Sequence, residues 1–128
     1  MELKRIEPPR VFRVGPRQEI ELKECARITL DADEQVTFQT ASGGQYDVVR
    51  KSWGFYATPS LNKRLAGFGL RAAIVKNPAE AFFIMLVERD KQAMFQDYLQ
   101  DNGLTLVHWM DSDQALRILA QALQRGTV

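Results

Sequence analysis

One cysteine and one histidine in a chain of 128 residues close off whole classes of chemistry at the start. Cys25 alone cannot form an internal disulfide or a cysteine-rich zinc site, and its strand-like setting predicts a small buried hydrophobe. His108 alone cannot build a histidine-rich metal centre, so neither a metal nor a cofactor is expected. Long apolar runs are missing too. The longest, residues 81–87, has seven members, far below the roughly 18 that a spanning helix needs. The opening Met-Glu-Leu-Lys-Arg-Ile-Glu-Pro-Pro holds no hydrophobic stretch of signal-peptide type. A cytoplasmic protein that does not enter membranes is the expectation. What remains, 45 % hydrophobic and 26 % charged, is the composition of a folded globular chain. Its length suits one domain over residues 1–128.

The most informative absence is that of negative charge. Between residues 48 and 79 no Asp or Glu occurs, against six cations: Arg50, Lys51, Lys63, Arg64, Arg71 and Lys76. Residues 1–49 hold seven Lys or Arg against nine Asp or Glu, and residues 77–128 hold four against seven. A formal net charge of +1 therefore conceals a basic middle between acidic ends, a pattern that concentrates an anionic partner locally. Catalytic signatures are absent as well. There is no Gly-x-Ser-x-Gly, no phosphate-binding Gly-x-x-x-x-Gly-Lys-Ser/Thr, and no Gly-x-Gly-x-x-Gly after a strand. Gly67-Phe68-Gly69 begins the last pattern, but Ala72 stands where its third glycine belongs. Asp31, Asp33 and Glu34 lack the loop length and closing Glu of a calcium site and read as a solvated turn.

Periodicity supplies the fold class, α+β. Residues 11–14, 19–24 and 26–30 read as strands, with turn signals at Gly15-Pro16 and at residues 31–34. Residues 35–40 and 45–51 alternate around a short Gly-containing loop, the strongest hairpin signal in the chain. Together these predict an N-terminal antiparallel meander or roll. Ser60 reads as the cap of a short helix over residues 61–66, stopped by Gly67 and Gly69. Residues 70–76 and 81–88 read as paired strands. The second is apolar on both alternating faces, which predicts a central place in a covered sheet. A helix capped by Asp90 runs to about residue 101. A last strand follows, with Leu104, Leu106, His108 and Met110 on one face. Asp111 and Gln114 form a capping-box pattern for a terminal helix that Gly126 closes. The second half is thus a smaller sheet covered by two helices.

The basic middle also contains a dense aromatic knot, Trp53-Gly54-Phe55-Tyr56. Loops that join rigid elements often carry function. A ligand here is read as follows: Arg50, Lys51, Lys63, Arg64 and Arg71 supply charge, Trp53 and Tyr56 supply ring faces, and Asn62 supplies hydrogen bonds. The competing structural reading makes the rings core anchors and the cations helix decoration. Nucleic acid fits less well, because a pI of about 7.9 and acidic flanks oppose phosphate binding. His108, beside Asp111 or Asp113, is the candidate general base, set against a half-buried, hydrogen-bonded structural histidine.

The stretch Arg50-Lys51-Ser52-Trp53-Gly54-Phe55-Tyr56-Ala57-Thr58-Pro59-Ser60-Leu61-Asn62, continuing to Gly69-Leu70-Arg71-Ala72-Ala73, resembles a segment of small stand-alone bacterial proteins without an assigned activity. Proteins of that group accompany genes for surface-polysaccharide or sugar-nucleotide chemistry. The resemblance implies a cytosolic accessory role in glycan assembly and transfers no catalytic residue. Three readings follow. The first is a binding module for an anionic small molecule such as a nucleotide-sugar or phosphorylated glycan intermediate. The second is an enzyme acting on such a substrate, with His108, Tyr56 or a carboxylate as proton carrier. The third is a protein–protein module whose apolar strand edges pair in a homodimer.

Overall fold

The structure, a computed structural model, describes residues 1–126. The fold is α+β: eight strands in three antiparallel sheets, with two helices. The chain forms two compact units, one from Met1–Val36 with Val48–Tyr56, the other from Thr37–Asp47 with Ala57 onward.

In the first unit, β1 (Glu2–Val14) and β2 (Ile20–Thr29) form a two-stranded antiparallel sheet. The stretches expected as separate strands at residues 19–24 and 26–30 are one continuous strand. Val14 pairs with Ile20 and Phe12 with Leu22, so four apolar side chains share one face. The register slips between Arg5 and Arg10. Pro8 and Pro9 lie in that interval, and proline cannot donate to a ladder. Cys25, expected to be buried, is exposed at this irregularity. A two-stranded ribbon without a core cluster of its own offers no buried position for it.

A three-stranded sheet follows in the order β3 (Gln35–Gln39), β4 (Gln45–Lys51), β5 (Gly54–Ala57). The chain passes into the second unit within β3 and returns within β4.

The second unit is built around β6 (Leu70–Lys76), which lies between β7 (Phe82–Glu88) and β8 (Thr105–Trp109). The expectation of a central β7 is therefore corrected: β7 is an edge and β6 is the centre. An apolar run marks a strand that avoids charge, not one that has neighbours on both sides. On one face of β6, Ala73 and Val75 pack with Val87 and with Phe95 and Leu99 of α1 (Gln92–Asp101). On the other, Leu70 and Ala72 pack with Leu65, flanked by Tyr46, Leu61 and Met110.

Several local expectations change for identifiable reasons. The helix expected over residues 61–66 is instead a turn over 61–64 leading into a 3-10 helix, Leu65–Phe68. The Ser60 carbonyl accepts the Leu65 N–H at 3.0 Å, and the Ser60 hydroxyl accepts the Arg64 N–H at 3.0 Å. These bonds close the turn on itself, and Gly69 at φ 78° ends the element. Lys91, not Asp90, precedes the first residue of α1. In α2 (Asp113–Arg125) the cap is Ser112, whose hydroxyl accepts the Ala115 N–H at 3.0 Å. Asp111, the expected cap, is already engaged by Arg71. Gly126 follows α2 as the C-cap. The expected apolar face of the last strand is split by a bulge: Ile74 pairs with His108 but Val75 with Leu106, leaving Val107 extra. Leu104 and Leu106 therefore pack with the Phe95 cluster, and Met110 packs with the Leu65 cluster.

Candidate ligand-binding surface

Four of the eight residues singled out from the sequence lie on the hairpin formed by β4 and β5. Ser52 and Trp53 make a two-residue connection, and Gly54 takes φ 148°, which a side chain at that position would resist. Arg50 is anchored through its backbone: its N–H donates to the Glu34 carbonyl at 2.9 Å and its carbonyl accepts the Asp33 N–H at 2.6 Å. Its guanidinium has no ion pair or side-chain hydrogen bond among the described residues. Lys51 donates to the Asp33 carboxylate. Both partners of that pair reach solvent, so a competing anion can displace the lysine at little cost. Trp53 is 73 % exposed and Tyr56 49 %, with Phe55 between them also exposed. The rings are on the surface and not in either core cluster.

The other four residues belong to the second unit. Asn62 donates to Asp113 at 2.7 Å. Arg71 donates through Nε and Nη2 to both oxygens of Asp111, at 2.6 and 3.2 Å, and its guanidinium carbon stands 3.8 Å from the centroid of the Trp109 ring. A forked, stacked arginine of this kind is committed to its partner. Arg71 and Asn62 thus hold the two carboxylates that flank Ser112 and anchor the start of α2. Lys63 is exposed, and Arg64 lies over Phe68 at 5.6 Å. Two cations of the basic middle find counter-charge in the acidic ends: Lys51 in Asp33 and Arg71 in Asp111. Charge blocks in a sequence signal ion pairing within the fold as readily as an outside partner.

His108 is half-buried on β8 opposite Ile74 and has no side-chain hydrogen bond among the described residues. The carboxylates considered as its partners are occupied, Asp111 by Arg71 and Asp113 by Asn62 and Arg117.

Sequence reasoning passed over Glu88, whose carboxylate gathers four partners in the second unit. Its Oε1 accepts from the Thr40 hydroxyl at 2.6 Å, the Ser42 hydroxyl at 2.7 Å and the Gly44 N–H at 3.3 Å. Its other oxygen lies 3.0 Å from Lys91 Nζ, which also donates to Ser42 at 2.9 Å. Hydrogen bonds from Thr40, Ser42 and Lys91 hold its carboxyl at about 2 instead of the usual 4.5. Gly44 makes the close approach possible, since a Cβ there would stand 3.0 Å from Thr40 Oγ1 and 3.2 Å from Glu88 Cγ. One signal was legible: a single carboxylate ending an apolar strand, three residues before a lysine. The depressed pKa fixes the sign of its pH dependence. Its stabilisation is complete above the ordinary carboxylate range near 4.5 and is lost as pH falls through about 2. Glu88→Gln is expected to melt below the wild type at neutral pH. The gap should narrow as the pH is lowered from 4.5 towards 2, where wild-type Glu88 is itself protonated. Thermal unfolding of both proteins across that range checks this, and a constant gap would show that the carboxylate charge contributes nothing.

Two grooves in the second unit, of about 480 and 280 Å³, meet Glu88; neither is lined by any of the eight residues. No group of three or more His, Cys, Asp or Glu side chains among the described residues is arranged to hold a metal ion. No helix among them is long and apolar enough to cross a membrane. No protein-family model, curated protein or solved structure matches this chain.

Proposed function

We propose that this chain is a non-catalytic binding module whose contact surface is the β4–β5 hairpin. The observation behind this reading is the pairing of exposed rings at Trp53 and Tyr56 with the uncommitted guanidinium of Arg50 on the same hairpin. Lys51 adds a second cation that exchanges Asp33 for a ligand oxygen. Ring faces with adjacent positive charge suit a molecule that joins a flat heterocycle or sugar to phosphate. A nucleotide-sugar or a phosphorylated glycan intermediate has that chemistry, in keeping with the glycan-assembly role implied by the resemblance of residues 50–62 to small bacterial proteins without an assigned activity. Arg71 and Asn62 act in this reading as supports for α2 and not as ligand contacts.

The test is tryptophan fluorescence during titration with UDP-glucose at low ionic strength, with uridine and inorganic phosphate as part-ligands. UDP-glucose is expected to quench Trp53 and each part-ligand to do so only weakly. Trp53→Ala, which removes the reporter and is followed by calorimetry, should weaken binding by roughly ten- to hundred-fold, in line with about 1–3 kcal/mol for one stacking contact. Arg50→Ala should weaken UDP-glucose and leave uridine unchanged. Equal response to uridine and UDP-glucose, or no response to either, rules the reading out.

A further inference from the structure

We propose that β7 pairs with β7 of a second copy of this chain, antiparallel and about a twofold axis at Met85, joining two sheets into one. A different observation carries this, in the other unit from the hairpin. β7 is an edge strand, Phe-Phe-Ile-Met-Leu-Val-Glu, with no proline, glycine or lysine to discourage pairing. Its one charge, Glu88, is balanced within the chain by Lys91. A charged peptide or a nucleic acid would find nothing complementary along this edge, whereas an identical neutral strand would.

The hydrogen-bond phase of the ladder sets the register. Asn77 N–H donates to the Ala81 carbonyl at 2.9 Å and Arg89 N–H to the Gly69 carbonyl at 3.0 Å, at the two ends of the β6–β7 pairing. Antiparallel bonding alternates, so the odd-numbered residues of β7 bond to β6. Phe82, Ile84, Leu86 and Glu88 then turn their N–H and C=O groups to the open edge. An axis at Met85 sets Ile84 opposite Leu86 and Phe82 opposite Glu88, pairing outward-facing groups only with one another. It also sets Phe83 opposite Val87, on the face that carries Met85 and α1. There the 480 Å³ groove runs between β7 and α1, lined by Met85, Val87, Lys91, Met94, Phe95 and Tyr98. Phe83 of each copy is the side chain placed to fill it.

The area is sufficient. Phe82, Phe83, Ile84, Met94 and Tyr98 are 62, 46, 76, 67 and 41 % exposed. At roughly 200 Å² for a large side chain, they offer about 600 Å² per copy. Wholly covered, these side chains bury about 1,200 Å² in the pair, the lower end of stable interfaces.

Sedimentation of the intact chain over a concentration series tests this. A dimer that dissociates on dilution is expected. Ile84→Lys should make it monomeric with an unchanged far-ultraviolet spectrum, because Ile84 packs on neither core cluster. Ile84→Pro should do the same, since it removes an N–H that β6 does not use. Residues opposite each other at a non-bonded antiparallel position have Cα atoms about 4.5 Å apart, within disulfide reach. Met85→Cys in a Cys25→Ser background should therefore crosslink on oxidation, and Phe83→Cys should not. The crosslink decides the matter alone if the Ile84 variants fail to fold. A wild type that stays monomeric when concentrated, a dimer indifferent to both Ile84 variants, or a dimer that crosslinks at position 83 and not 85 overturns the proposal.

Discussion

Phe95→Ala is expected to cost about 3–5 kcal/mol, the range for deleting a buried aromatic ring. Phe95 is buried among Ala73, Val75, Val87 and Leu99 and is, with Leu99, one of the two buried side chains by which α1 meets the sheet. Its ring also meets Trp109, with centroids 5.8 Å apart and planes tilted by 56°. Such ring pairs add about 0.5–1.5 kcal/mol beyond burial. Its neighbours Ala73 and Val75 lie on the central strand, where small side chains cannot swing into the space. The cavity will persist instead of collapsing, which places the cost at the upper end. Domains have only about 5–15 kcal/mol in total, so this one truncation removes a large share. Denaturant unfolding followed by Trp109 fluorescence checks it, in a Trp53→Phe background that silences the exposed tryptophan. A loss below about 1 kcal/mol, as for surface sites, would mean that α1 does not rest on this face.

On the opposite face of β6, Leu65→Ala should lose about 2–5 kcal/mol, or roughly 10 °C in melting temperature. Leu65 is fully buried, with relative exposure of 0 %, although it sits in a 3-10 helix of four residues. So short an element has no intrinsic stability. Packing of Leu65 against Leu70 and Ala72 holds it in place. Truncation should therefore cost the cavity and also loosen the turn from Ser60 onward. Ala66→Ser is the control: the same element, an exposed position, and an expected change within about 0.5 kcal/mol. Equal effects at the two positions would show that the turn is held by its backbone bonds and not by this leucine.

A chain encodes side-chain direction locally and position within a sheet only globally. Alternation at residues 35–40 and 45–51, and the apolar runs at 70–76 and 81–88, identified strands because side-chain direction follows a period of two whatever lies alongside. Position within a sheet has no such local signature, and β7 was misplaced at the centre for that reason. The terminal helix was legible from its spacing and Gly126, but its cap was not. Asp111 and Ser112 are both good caps, and Arg71, forty residues earlier, takes the first. The bulge at Val107 is likewise silent in sequence, since it exists only relative to β6. At the surface, composition located the hairpin rings and the cations but not their allegiance. Arg50 and Lys51 look alike on paper, as do Lys63 and Arg71. Only the fold shows Arg71 stacked on Trp109 and clasped by Asp111 while Arg50 has no such partner among the described residues.

Local chemistry by itself determined the α+β class and the principal strands and helices. These depend on residue type and short-range spacing, which a linear string contains in full. Tertiary structure alone decided which strand is the edge, which carboxylates neutralise which cations, and that Glu88 gathers Thr40, Ser42, Gly44 and Lys91. Each of those outcomes is a contest between partners distant along the chain, and it is settled only when folding brings the competitors within hydrogen-bonding distance.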